Sequence, residues 1–145
     1  MVNEIRPLRC PNCGAASRTT MTRFGSRDDC PVCNYRSWDG KPMVSPEVIE
    51  ARKHCHGVVD KLWKHAETMY GIPAGSDAAK HVRKVARNRA YRFIAERTGL
   101  PEPECHMSEQ SDLRKLRLIY RAARRATMHQ VREWAKSREK ALEEG

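Results

Sequence analysis

No stretch of this sequence approaches the roughly 18 to 20 consecutive apolar residues that would span a bilayer, and no secretory leader opens it. Neither a membrane-spanning nor an exported chain is therefore expected. Missing too are a glycine-rich loop able to cradle phosphates and a nucleophile elbow, so the local signatures of phosphoryl and serine-type acyl transfer are absent. There is no internal repeat and no low-complexity tract. Acidic residues are in short supply: 18 Asp and Glu face 28 Lys and Arg across 145 residues, a formal charge of +10. That imbalance favours polyanions or acidic protein surfaces as partners without choosing between them.

What is present begins with cysteine. Cys10-Pro-Asn-Cys13 and Cys30-Pro-Val-Cys33 form two Cys-x-x-Cys pairs with sixteen residues between them. That spacing falls inside the zinc pattern, in which two short turns aim four thiolates at one tetrahedral ion. Gly14 suits the tight knuckle after the first pair. Two redox dithiols or a pair of disulfides are the competing readings. A closed four-thiolate shell has no open coordination position, so one Zn²⁺ held this way is expected to be structural. Six cysteines without a leader point to a reducing compartment, and a cytoplasmic protein is expected.

Residues 1–43 are short and punctuated by Pro7, Gly14, Gly25, Pro31, Gly40 and Pro42, with a Thr-rich stretch at Ser17 to Phe24 suited to a strand. They read as a small zinc ribbon, too short to bury a core without its metal. Residues 44–145 read as a mainly α, three-helix basic domain. Ser45-Pro46-Glu47 is a helix start, and Val48, Ala51, Cys55, Val58, Leu62, Ala66 and Met69 recur at helical spacing, predicting a helix over about 46–70. Ser76-Asp77 and Gly99 bracket a second, over about 78–98. Leu100-Pro-Glu-Pro103 forces a turn. A third helix is predicted over about 111–142, on the periodicity of Leu113, Leu116, Tyr120, Ala123, Thr127 and Trp134, with a charged end at 136–145 that frays or projects.

Two constellations carry candidate chemistry. Lys80, Arg83, Lys84 and Arg87 cluster on the second helix, and Arg114, Arg117, Arg121 and Arg124 form a stripe on the third, with no acid between Leu113 and Met128. Such stripes can track the phosphates of a nucleic acid, or simply solvate a helix face. Phe24, Tyr35 and Trp38 of the ribbon could stack on bases or pack its core. The other group is His56, Asp60, Cys105 and His106, a possible second metal or acid–base site if folding brings them together, and otherwise ordinary packing and hydrogen-bonding residues.

The ribbon, followed by Glu50-Ala-Arg-Lys-His-Cys-His56, Asp60-Lys-Leu-Trp63-Lys64, Ala90-Tyr-Arg-Phe-Ile-Ala-Glu96, Gly99-Leu100 and Glu104-Cys-His106, resembles a small phage-type zinc-finger-containing family of unassigned function over about residues 8–120. The resemblance implies a bacteriophage or prophage accessory protein in the bacterial cytoplasm and no particular reaction. Met107 to Asp112 departs from the family's pattern, and Tyr70–Lys84 and the tail beyond Thr127 are additions that hold much of the basic charge. The expected function is non-catalytic nucleic-acid binding. The alternative is a protein-interaction module acting on a host protein, and a third reading is an enzyme built on the His56 group.

Overall fold

The computed structural model describes residues 8–144. Its element order is β1 (Arg18–Thr22), β2 (Gly25–Asp29), β3 (Arg36–Trp38), α1 (Pro46–Asp60), α2 (Asp77–Thr98), α3 (Leu113–Arg124) and α4 (Met128–Glu144), with 3₁₀ turns at Ala66–Tyr70 and Glu102–Cys105. The chain divides into two compact units between Glu50 and Ala51, inside α1.

In the first unit the three strands form an antiparallel sheet in the order β1-β2-β3. The register sets Arg18 opposite Asp29 and Thr20 opposite Arg27, and then Arg27 opposite Trp38 and Asp29 opposite Arg36. Because side chains alternate across a strand, Arg18, Thr20, Arg27, Asp29, Arg36 and Trp38 share one face. The other face carries Asp28, buried and accepting hydrogen bonds from Ser17 and Thr19. Gly25 closes the β1–β2 turn at φ +117°, where a Cβ would lie 2.4 Å from Asp39 Oδ1. Asp39 in turn accepts from the Ser26 N–H. The apolar core of this unit is small: Cys10, Cys30 and Met43, with Leu8, Ala15, Cys33 and Tyr35 against them.

The second unit is built on burial. Val59, Leu62, Ile94, Met107, Leu116 and Ile119 are fully buried, and α2 packs on both α3 and α4. Ser45 caps α1 by accepting from Val48 N, as its sequence signature anticipates. The helix stops at Asp60, well short of the expected residue 70. Beyond it the backbone tightens to three-residue bonds, Leu62 N to Val59 O and Ala66 N to Trp63 O. The tighter winding carries Glu67 inward to Arg83, 3.3 Å away, a polar anchor that apolar periodicity does not register. Ser76 accepts from Ala79 N at the start of α2, and Gly99, at φ +75°, ends it.

The single third helix expected over 111–142 is two helices. Asp112 caps α3 by accepting from the backbone N–H groups of Arg114 and Lys115. At the break, Thr127 Oγ1 accepts from Gln130 N while Gln130 Oε1 accepts from Thr127 N. This reciprocal capping box starts α4 afresh, so Thr127, counted as a member of the apolar stripe, is the residue that interrupts it. Within the charged end Arg138 pairs with Glu96 and Glu139 forks onto Arg89 at 2.9 and 3.1 Å, while residues 140–143 are exposed.

Candidate metal centre

Two knuckles of the same construction hold the four cysteines. In the first, Gly14 N donates to Cys10 O and Cys10 N to Ala15 O; in the second, Asn34 N donates to Cys30 O and Cys30 N to Tyr35 O. The residue after each second cysteine adopts the left-handed conformation, Gly14 at φ +76° and Asn34 at φ +60°. Asparagine tolerates that region better than other side chains with a Cβ. Each thiol is thereby delivered by backbone geometry.

The four Sγ atoms all lie within 4.8 Å of one another, and Cys13 Sγ to Cys30 Sγ is 3.5 Å. A tetrahedral shell with metal–sulfur bonds of about 2.3 Å needs sulfurs roughly 3.8 Å apart, so the set fits one ion of that size. None of the six cysteines is disulfide-bonded. The backbone N–H groups of Cys33 and Val32 donate to Cys30 Sγ and hold its thiol down to about 7. At Cys13 the Ala15 N–H favours the thiolate, but desolvation and the crowding of Cys33, Cys30 and Cys10 outweigh it and push the thiol up to about 12. Four crowded thiols resist ionising together without a cation among them. Asn12 Nδ2 donates to Cys33 Sγ at 3.3 Å, an orienting contact of the kind that tunes metal sites. Neither Asn12 nor Asn34 stands out in the sequence, although Asn34 occupies in the second knuckle the place that Gly14 has in the first.

The His56 group fares differently. Among the described residues, no three of His56, Asp60, Cys105 and His106 bring donor atoms close enough to share an ion. His106 stacks on Tyr91 with ring centroids 4.4 Å apart. Burial raises the Tyr91 phenol, and Asp60 and Cys105 lie near enough to add to that electrostatically. The Cys105 thiol is buried and pushed up by desolvation. Cys55 donates to Leu116 O and is raised to about 11 by burial. Both are protonated packing residues rather than reactive thiolates.

The basic residues differ in their surroundings. Arg83 is tied to Glu67 and to Ala74 O, and Arg87 lies over the rings of Trp63 and Tyr91 at 5.7 and 5.2 Å. Arg83 is half-buried, whereas Arg87 stays exposed while it covers those rings. Lys80, Lys84, Arg114, Arg117, Arg121 and Arg124 are exposed, Arg124 leaning over Tyr120. Between α2 and the α3–α4 segment an open groove of about 380 Å³ is lined by Phe93, Arg97, Leu118, Arg121, Arg125 and Gln130 among others, with no carboxylate in its lining. Arg97 falls outside the basic clusters that the sequence displays; its signal is a basic residue in the last turn of α2, one turn beyond Phe93.

No family model, curated protein or solved structure matches this chain. The resemblance to a phage-type family therefore rests on the residues quoted for it. Among the described residues no helix is long and apolar enough to cross a membrane.

Proposed function

We propose that the chain is a zinc-stabilised, non-catalytic nucleic-acid-binding protein. The observation that carries this reading is the groove in which Arg97, Arg121 and Arg125 converge without an acid. Guanidinium groups so placed present forked donors to phosphate oxygens. Lys80 and Lys84 on α2, with Arg114, Arg117 and Arg124 on α3, extend the positive surface. Arg87, exposed above Trp63 and Tyr91, belongs to the same surface, while Arg83 is half-buried and paired with Glu67. Zinc is the ion this reading assigns to the four thiolates: a soft S₄ tetrahedron suits a d¹⁰ ion, and the closed shell gives it a structural part.

Fluorescence anisotropy with labelled duplex DNA, single-stranded DNA and RNA at two salt concentrations tests this. Affinity should fall steeply with salt. The triple substitution Arg97→Gln, Arg121→Gln and Arg125→Gln should reduce the log–log slope by about one for each phosphate no longer neutralised. Affinity that is absent at low salt, or unchanged at high salt, would refute the reading. A stoichiometric protein captured from nuclease-treated lysate would favour the alternative of a module docking on a host protein.

A further inference from the structure

Among the described residues seven large hydrophobic side chains stay exposed, and Met21, Phe24, Val32 and Trp38 of these belong to the first unit. A unit with so small a core would bury its aromatic rings if packing were their only use. Tyr35 is half-buried against the cysteine core. Phe24 remains 71% exposed and Trp38 38% exposed. Each exposed ring has a guanidinium over it: Arg23 stands 4.7 Å from the Phe24 centroid and Arg27 5.9 Å from that of Trp38.

The strand register sets these two ring–cation pairs at one end of the sheet. Trp38 lies directly opposite Arg27, and Asp39, the next residue, reaches the Gly25–Ser26 turn that follows Phe24. On the same sheet face, Asp29 is shared by Arg27 and Arg36, which leaves Arg18, Arg27 and Arg36 against one carboxylate. The result is a net-positive region with two exposed aromatic rings, each carrying a guanidinium over one side.

We propose that this ribbon face binds single-stranded nucleic acid, with Phe24 and Trp38 stacking on unpaired bases and Arg18, Arg23 and Arg27 meeting the backbone phosphates. The inference rests on the nucleic-acid reading above and gives it a substrate class. A duplex hides its base faces inside the stack, whereas an unpaired strand offers a π face at every residue. The guanidiniums already over the rings complement both partners, by cation–π stacking on the aromatic side and by charge on the phosphate side.

The test uses the full-length zinc-loaded chain with labelled single strands of about twelve nucleotides, in the range one small stacking surface covers, and a duplex of the same length. Trp38→Leu and Phe24→Leu keep apolar bulk and remove the π face. Each should weaken single-strand binding by about 5- to 100-fold, leave duplex binding nearly unchanged, and preserve the salt slope, since every phosphate-binding cation remains. Zinc content must stay that of the unsubstituted chain; Trp38→Phe, which retains a ring, should restore most of the affinity and separates stacking from misfolding. Unchanged single-strand affinity in both leucine variants overturns the inference, as does an equal loss on duplex. If the groove triple substitution abolishes binding while the ring variants do nothing, the inference fails and the broader reading stands. If the unsubstituted chain binds neither strand nor duplex, both fall.

Discussion

The two units of this chain solve the same problem with different means. The helical unit buries Leu62, Ile94, Met107, Leu116 and Ile119 completely and ties α2 to α4 through Glu139 and Arg89. The apolar cluster of the ribbon is two of its own cysteines and Met43, with only partly buried side chains against them. Hydrophobic burial at roughly 25 cal/mol per Å² can order the first kind of unit, whereas in the second a metal ion held by the four close thiols would have to offset much of the conformational entropy. The ribbon leaves Phe24 and Trp38 exposed, while the helical unit buries Tyr91 and Phe93 and leaves Tyr70 exposed.

The sharpest way to break that contrast is at a ligand. Cys10→Ser leaves three thiolates, and structural zinc contributes about 10–16 kcal/mol to folding of small modules. The variant should lose its zinc and become protease-sensitive across residues 8–50, with helical circular dichroism nearly retained. The converse substitution is Leu116→Ala. It opens a cavity in the helical core and should cost about 2–5 kcal/mol in urea unfolding of that unit, with zinc content unaltered. Smaller again is Gly25→Ala. The new Cβ meets Asp39 Oδ1, and φ +117° is unfavourable to it, so about 1–3 kcal/mol is expected, read as weaker zinc affinity of the ribbon rather than a lower melting temperature of the helices.

Acid gives the mildest separation. At Asp29 desolvation opposes ionisation, but hydrogen bonds and charge from Arg36 and Arg27 prevail and hold the carboxyl below its ordinary 3.8. Glu139 is held below 4.5, chiefly by its hydrogen bond to Arg89. Carboxyls depressed in the folded state contribute stability above their unfolded values and lose it only as pH falls through the folded ones. Between about pH 7 and pH 5 these pairs therefore lose nothing, while protons already compete with the metal for thiolates. Zinc release with ribbon opening should precede any helical loss in an acid titration followed by a zinc dye and circular dichroism. Simultaneous loss would contradict the contrast.

How much of this is legible in sequence divides along the same line. The four-cysteine cluster can be read because the spacing of its two pairs follows coordination chemistry and not distant packing. Ser45, Ser76 and Gly99 can be read because caps satisfy their own neighbours. The end of α1 at Asp60 cannot, since the inward turn of Glu67 depends on Arg83 from another helix. The break at Thr127 is legible in principle, as a Thr-x-x-Gln capping box, but an apolar period running through it outweighs the local signal. The basic stripes read as one surface in the sequence. Folding turns Arg83 onto the buried Glu67 and brings Arg97 beside Arg121 and Arg125, a convergence between helices that spacing within one helix does not encode.

The central claim is that a four-thiolate zinc centre, and not an apolar core, orders the ribbon. It is tested most directly by residue-resolved ¹⁵N–¹H NMR during titration with a strong chelator, alongside zinc counting. The account predicts one zinc per chain, and on its removal the collapse of amide dispersion for residues 8–50 while those of α2, α3 and α4 keep their shifts. Retention of the ribbon's dispersion after complete metal removal would contradict it.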